Sequence, residues 1–208
     1  MAEYTFFTNP MSRARIARWA LHEAGADYTP MAVDWAAKPA ALLQANPMGK
    51  LPTIIHHAPF GDRVVTEAAA VCCYLAEAHP AAALLPDDRE RADYWRWLFF
   101  AAGPIEHAVT SKALGFAPTA KQEAMVGFGN AERAIGTLEA HLADRAFVCG
   151  DRFTMADVYV GSAVDWGLMF KTMPERPAFV AYAERLRARP AYRDAKAIDD
   201  RLIEELKR

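Results

Sequence analysis

The stretch of sequence that decides the fold is Asn46-Pro47-Met48-Gly49-Lys50-Leu51-Pro52-Thr53. Pro52 stands directly before Thr53 to His57, a short apolar run that predicts a strand. A proline in this place can follow a cis bond, which would turn the peptide groups of Leu51 outward. Those groups could then pair with an extended peptide, as an added strand does. The alternative is an ordinary trans loop, since cis occurs in about 5–6% of X–Pro bonds.

The segments before this stretch alternate between strand and helix patterns. Tyr4 to Thr8 predicts a strand, and Ser12 to Ala24 carries apolar residues at helical spacing with Gly25 as its stop. Tyr28 to Val33 predicts a second strand, and Pro39 to Gln44 a short helix. This order favours a parallel pair of strands joined by a crossover helix.

After the stretch, two short strands and a helix complete the first part of the chain. The strands are predicted at Thr53 to His57 and Arg63 to Val65, and their short connection favours an antiparallel hairpin. The helix is predicted from Glu67 to Ala78. Together these elements predict a small mixed sheet with helices packed on it.

Beyond His79-Pro80 the patterns become helical. Residues 81–88 look like a linker, and Gly127, Gly129 and Gly136 predict a bend or close contact in the second of five helices. The predicted fold class is α/β followed by all-α, with domains at 1–80 and 89–208. The helices are predicted near Arg89 to His107, Thr119 to Leu142, Met155 to Lys171, Pro177 to Ala188 and Ala191 to Leu206.

Composition narrows the classes of partner. The 208 residues are 53% hydrophobic and 24% charged with a formal net charge of −2, which predicts a globular chain. Lysine and arginine are spread out, which argues against nucleic acid and membrane partners. The first residues lack a signal-peptide pattern and no later run is long and apolar enough to span a membrane, so we expect a soluble cytoplasmic protein. The three cysteines form no CxxC or metal-binding pattern, and we expect no metal.

The opening stretch, followed by the pair Thr66-Glu67, resembles the glutathione-binding region of the cytosolic glutathione S-transferases of bacterial type. The resemblance implies an N-terminal thioredoxin-like βαβαββα domain and a C-terminal helical bundle. It also implies a homodimeric detoxification transferase that uses glutathione as co-substrate, with no tightly bound cofactor. The segment Gly150 to Asp157 resembles the helix start of the helical domain, where Thr154 and Asp157 have the spacing of a capping box.

Carried onto this sequence, the resemblance implies a glutathione site built from Lys50, Leu51, Pro52, Thr66, Glu67 and Ala68. Leu51 would bond the cysteinyl backbone, and Lys50 would lie near a carboxylate. The start of the helix at Thr66-Glu67-Ala68 would hold the γ-glutamyl carboxylate, while Glu67 pairs with the γ-glutamyl ammonium. The family usually has Ser or Thr where Ala68 stands, so we expect weaker glutathione binding unless Thr66 compensates.

The catalytic group is expected between the first strand and the first helix. Family members lower the pKa of the glutathione thiol through a hydroxyl donor and a helix N-terminus. Ser12, Thr8 and Asn9 compete for this role, and we favour Ser12 because it is the serine at the helix start; its alternative role is a plain N-cap. Phe7 excludes a tyrosine-type mechanism, which indicates a serine/cysteine-like class.

Aromatic residues of the helical part are candidates for an electrophile pocket, although an aromatic stripe at helical spacing packs in the core more often than it lines a pocket. They are Tyr94, Trp97, Phe100 and Trp166. The predicted function is transfer of glutathione thiolate to a small hydrophobic electrophile. The alternative is a non-catalytic module of the same fold that binds ligands or proteins. The absence of cysteine between Thr8 and Arg13 argues against mixed-disulfide chemistry.

Overall fold

The computed structural model describes residues 2–207, and these form two compact units. One unit comprises residues 2–85 together with 188–207, and the other comprises residues 86–187. The domain boundaries predicted at residues 80 and 89 were placed where the sequence patterns become helical, and they stay a prediction. Contacts group the last helix with the first unit.

The first unit contains a four-stranded mixed sheet in the order β2-β1-β3-β4. β1 pairs in parallel with β2, while β3 runs antiparallel to both β1 and β4. The parallel pair and the hairpin are therefore confirmed. The strands are β1 (Tyr4–Thr8), β2 (Tyr28–Ala32), β3 (Thr53–Ala58) and β4 (Gly61–Thr66).

Helices of the first unit are α1 (Ala14–Ala24), α2 (Ala40–Ala45), α3 (Ala68–Ala78) and the last helix, α10 (Pro190–Leu206). α1 packs against both α3 and α10. The buried face of α1 carries Ile16, Ala17, Ala20 and Leu21, the apolar residues that predicted it. Gly25 ends α1 in the left-handed conformation, with φ of 65°. Pro30 lies on β2 at the sheet edge, where a missing N–H costs least.

The second unit is helical. A long first helix runs from Arg91 to Ala113 in three parts, of which the middle is a π-helical turn that contains Pro104. Its parts are α4 (Arg91–Phe100), the turn at Ala101–Ile105 and α5 (Glu106–Ala113), and α6 (Ala120–Glu123), α7 (Ala131–Leu142), α8 (Met155–Met169) and α9 (Pro177–Arg187) follow. None of the helices within residues 2–207 has the length and apolar character needed to cross a membrane.

One continuous helix from Thr119 to Leu142 was the wrong prediction. The chain leaves the helix after Glu123 and begins α7 at Ala131. Gly129 has φ of 63°, a left-handed conformation that breaks a helix, and the side chain of Asn130 then caps α7 at the N–H of Arg133. The first helix also extends to Ala113, beyond the predicted end at His107. The predicted fold class is nevertheless confirmed: a mixed sheet with helices, followed by a helical domain.

Candidate functional site

The loop before β3 presents a peptide unit with unused hydrogen-bonding groups. The Leu51–Pro52 bond is cis, the first of the two alternatives considered for Pro52. Leu51 is only 8% exposed, yet its N–H and C=O have no hydrogen-bond partner within residues 2–207. Buried peptide groups are almost always paired, so this pair of free groups marks a place for an extended ligand backbone.

Asn46 fixes the shape of this loop. Its amide nitrogen donates to the Lys50 carbonyl and to Thr53 Oγ1, both at 3.1 Å, and its Oδ1 accepts from the N–H of Met48. Gly49 is buried with φ of 58°, and a Cβ there would lie 3.1 Å from Lys38 Nζ. Lys38, which sequence reasoning missed, therefore brings a second ammonium beside the loop that carries exposed Lys50.

The start of α3 lies at the same end of the sheet as this loop, because Thr53 pairs with Thr66 across β3 and β4. The peptide N–H groups of Ala68, Ala69 and Ala70 have no partner among the described residues, so the positive end of the helix is open. The carboxylate of Glu67 is exposed at this end. An anion and a cation could therefore both be held here.

Glu67 has an unusual backbone conformation, with φ of 63° and ψ of 117°. A residue with a Cβ adopts positive φ only at a cost, and such strain collects at functional sites. Ala68 is 7% exposed at the position where the family resemblance implies a hydroxyl. The hydroxyl of Thr66 is half-buried and has no partner in the described part of the chain, so it stays available to a ligand.

The three candidate thiol partners lie together after β1, but their side chains are engaged differently. Ser12 Oγ donates to the Asn9 carbonyl at 2.7 Å and accepts from the N–H of Ala14 at 3.1 Å, one residue before Arg13, which holds the N-cap position of α1. Asn9 donates to the Val33 carbonyl and accepts from the N–H of Met11. Thr8 Oγ1 accepts from the guanidinium of Arg18 at 3.2 Å.

Arg18 and Asp199 form a buried ion pair that sequence reasoning missed. Each side chain is 1% exposed, and Arg18 Nε donates to Asp199 Oδ1 at 2.9 Å, joining α1 to α10. Burial raises the pKa of Asp199, while Arg18 opposes that shift. A charged residue on the apolar face of α1 was the available signal, since a buried charge requires a partner.

The predicted electrophile-pocket residues are divided between core and surface of the second unit. Tyr94 and Trp97 are 0% and 1% exposed, and the Trp97 ring stacks on His141 at 4.0 Å between centroids. Phe100 and Trp166 are half-buried. Trp97 also borders a cavity of about 630 Å³ whose lining includes Arg96, Arg133 and Arg145. Packing therefore accounts for Tyr94 and Trp97, and the apolar pocket stays a prediction.

The cysteines are buried or half-buried. Burial raises the pKa of the Cys72 thiol, and it raises the pKa of Cys149 to about 12. Such thiols are poor nucleophiles at neutral pH. Within residues 2–207 there is no group of three His, Cys, Asp or Glu side chains arranged for a metal ion.

Comparison with known protein families identifies the family of this chain. The family model for the N-terminal domain of glutathione S-transferase matches residues 2–77, and the model for the C-terminal domain matches residues 95–190. The two matches together cover more than half of the chain. The chain belongs to the glutathione S-transferase family. The predicted enzyme class is thereby confirmed, and the serine/cysteine-like class stays a prediction.

Individual members of the glutathione S-transferase family are similar along most of the chain. GstA of Escherichia coli O157:H7 is 26% identical over 197 residues, which cover 91% of this chain and 95% of that protein. Glutathione S-transferase AN1595 of Emericella nidulans is 29% identical over 126 residues, covering 59% of this chain and 46% of that protein. A theta class glutathione S-transferase of Xanthomonas axonopodis pv. citri, solved with glutathione bound, is 28% identical with a TM-score of 0.71, covering 94% of this chain and 97% of that one.

Proposed function

We propose that this glutathione S-transferase binds glutathione at the end of the sheet where β1, β3 and α3 meet, and transfers its thiolate to a small hydrophobic electrophile. The observation that carries the proposal is the pair of free peptide groups at Leu51 beside the open end of α3. One extended tripeptide with a carboxylate at its γ-glutamyl end would use both features.

Each charged group of glutathione has a counterpart in this site. The cysteinyl backbone pairs with the N–H and C=O of Leu51. The γ-glutamyl carboxylate accepts from the free N–H groups at the start of α3, and the γ-glutamyl ammonium pairs with Glu67. The glycyl carboxylate meets the ammonium groups of Lys50 and Lys38. Thr66 supplies the hydroxyl that Ala68 lacks.

The cysteinyl sulfur is then held near the segment Thr8 to Ser12. β1 and β3 run antiparallel with Phe7 opposite Thr53, so Thr8 and Pro52 come next in register at this end of the ladder. A hydroxyl donor and the N-terminus of α1 both favour the thiolate. The thiolate attacks the electrophilic carbon to form a C–S bond, and either a leaving group departs with the electron pair or a proton adds to the product.

Two ligands test the binding part of the proposal. Calorimetry with glutathione and with cysteinylglycine, which lacks the γ-glutamyl group, compares the same thiol peptide with and without the groups assigned to Glu67 and α3. We expect cysteinylglycine to bind at least about tenfold more weakly, because hydrogen bonds to charged groups are lost. Equal binding of the two, or no binding of glutathione, would overturn the assignment.

The alternative function is a non-catalytic module that binds glutathione or another ligand. Two observations favour it: Ala68 lacks a hydroxyl, and the hydroxyl of Ser12 is already bonded to the Asn9 carbonyl and the N–H of Ala14. The ultraviolet absorbance of bound thiolate separates the two functions. An enzyme should form thiolate below about pH 8, whereas the module should bind glutathione as the thiol, whose pKa lies near 8.5–9. Conjugation of an activated aryl halide should follow the thiolate. We also expect a homodimer in the cytoplasm, which gel filtration and cell fractionation would test.

A further inference from the structure

A buried guanidinium lies directly behind the end of β1. Arg18 donates from Nε to Asp199 Oδ1 at 2.9 Å, from Nη1 to the Tyr28 hydroxyl at 3.1 Å, and from Nη2 to Thr8 Oγ1 at 3.2 Å. Its guanidinium carbon lies 5.2 Å from the centre of the Phe6 ring. Each of the three guanidinium nitrogens thus donates a hydrogen bond, and one of these bonds goes to Thr8, a candidate thiol partner.

The use of each hydroxyl proton distinguishes Thr8 from Ser12. A hydroxyl has one proton to donate, and Ser12 gives its proton to the Asn9 carbonyl. Thr8 Oγ1 accepts from Arg18, so its own proton must point elsewhere, and it has no acceptor within residues 2–207. Thr8 is only 2% exposed. A buried donor without an acceptor is rare in proteins and needs an explanation.

The position of Thr8 supplies that explanation. β1 and β3 pair up to Phe7 and Thr53, and continuing this register by one residue brings Thr8 opposite Pro52, which adjoins the free peptide groups of Leu51. A peptide ligand bound at Leu51 therefore brings its central side chain to the end of β1. A sulfur anion there would accept the unused proton of Thr8 in a place shielded from water, where a hydrogen bond to an anion is strongest.

We propose that Thr8, and not Ser12, donates the hydrogen bond to the glutathione thiolate, and that Arg18, held by Asp199, is the positioning residue that turns the Thr8 hydroxyl toward the sulfur. This inference rests on the proposed function. The donation from Arg18 also polarises the Thr8 hydroxyl, which makes it a better donor. Ser12 keeps the separate role of bonding the Asn9 carbonyl and the N–H of Ala14 at the start of α1.

Absorbance of bound thiolate across pH tests the choice between the two hydroxyls. Thr8→Val keeps the shape of the side chain and removes the donor, and we expect the proportion of thiolate at a fixed pH below the thiol pKa to fall about tenfold. Thr8→Ser should restore it. Ser12→Ala should leave thiolate formation unchanged, even if it lowers the melting temperature. Thiolate loss in Ser12→Ala but not in Thr8→Val would overturn the proposal.

The same measurement separates this inference from the proposed function. If the parent does not bind glutathione, the proposed function fails. If the parent and Thr8→Val bind glutathione equally at low pH and form thiolate equally at higher pH, the proposed function stands and the role of Thr8 fails. Calorimetry at pH 6, where glutathione is a thiol, measures binding without the contribution of the thiolate.

A pair of neighbouring carboxylates on α10 tests the role of Arg18. Asp199→Asn keeps an oxygen that can accept from Arg18 Nε but leaves the guanidinium charge uncompensated, so we expect the thiol pKa to fall and the thiolate fraction at fixed pH to rise. Asp200→Asn is the matched control, because Asp200 pairs with Arg15 and Lys196 and not with Arg18. Arg15, whose Nε lies 3.9 Å from Asp199 Oδ2, is the other cation facing Asp199.

A purely structural role of the ion pair predicts the opposite result. Loosening the contact between α1 and α10 would lower thiolate formation in Asp199→Asn, or lower it equally in Asp200→Asn. Either outcome, or an unchanged thiol pKa in Asp199→Asn, would overturn the positioning role. Arg18→Lys adds a check in the other direction, since one ammonium lacks the fork that serves Asp199 and Thr8 together, and it should reduce the thiolate fraction.

Discussion

The starts of α8 and α3 differ in whether a side chain closes the first turn of the helix. Every helix begins with N–H groups that lack a partner inside the helix. At α8 a capping box closes the start: the carboxylate of Asp157 accepts from the N–H and the hydroxyl of the N-cap residue Thr154, at 2.8 and 3.2 Å. The same carboxylate also accepts from the N–H of Val148 at 2.7 Å and from the Tyr182 hydroxyl at 2.8 Å. At α3 no described side chain accepts a hydrogen bond from the first N–H groups of the helix, and Glu67, its N-cap, adopts positive φ.

This difference indicates a folding role for the start of α8 and agrees with the binding role proposed for the start of α3. Asp157 is 0% exposed and ties together the loop before α8, the helix itself and α9. The open start of α3 is where we propose that glutathione binds, and the backbone strain at Glu67 is a cost that stability alone would not select. We therefore expect changes at α8 to alter stability and changes at α3 to alter binding.

Removing Asp157 should produce the largest effect. Asp157→Ala leaves four buried donors without this acceptor, and we expect a loss of about 3–5 kcal/mol in the free energy of unfolding. Chemical denaturation measures this loss. Asp151→Ala is the control, because Asp151 is exposed in the same loop and should change stability by less than about 0.5 kcal/mol. Similar losses in both variants would show that the free energy of unfolding depends on the loop before α8 in general and not on the Asp157 carboxylate.

The contrast also explains which parts could be predicted from the sequence. The capping box at Thr154 and Asp157 is local, since both partners lie within one helical turn, and the prediction is confirmed. The strands and the Leu51–Pro52 loop also follow from local patterns and a short motif. Positive φ at Glu67 was missed, because glutamate has no preference for that conformation and only the surrounding fold imposes it.

Contacts between distant parts of the chain lie beyond such patterns. Arg18 and Asp199 are 181 residues apart, and nothing local to either residue names the other. Ser12 was considered as a thiol partner or as a plain N-cap, yet Arg13 holds the N-cap position and the Ser12 hydroxyl bonds the Asn9 carbonyl and the N–H of Ala14. Sequence alone contains no geometry with which to choose between such roles. The sequence therefore indicates the group of candidate site residues, while the hydrogen-bond partners of each hydroxyl are known only from the structure.

The pH dependence of stability should carry the signature of Asp157. Burial raises the pKa of Asp157 to about 6 from an ordinary value of 3.8. The folded state thus binds this proton more tightly than the unfolded state, so the contribution is present below about pH 4 and is lost as the pH rises through about 6. We expect the parent to lose about 2–2.5 kcal/mol relative to Asp157→Asn between pH 4 and pH 7. A constant difference across that range would contradict the assignment.

At α3 the corresponding change should act on binding. Ala68→Ser restores a hydroxyl at the open helix start, and we expect glutathione to bind about tenfold more tightly, through a hydrogen bond to its γ-glutamyl carboxylate. The free energy of unfolding should change little. Ala69→Ser, one position further along, is the matched control and should not alter affinity in calorimetry. Tighter binding by both variants would point to a general effect of added polarity.

The smallest expected effect distinguishes the two helix starts by its sign. Glu67→Gly removes a Cβ from a residue with φ of 63°, so we expect unfolding to require about 1 kcal/mol more free energy. The same change removes the proposed partner of the γ-glutamyl ammonium, and glutathione affinity should fall. Glu77→Gly, at an exposed position of the same helix, should instead destabilise by about 0.5–1 kcal/mol and leave affinity unchanged. Stability gained together with affinity lost is the result that a site under strain predicts, whereas destabilisation by Glu67→Gly would mean that Glu67 supports the fold as Asp157 does.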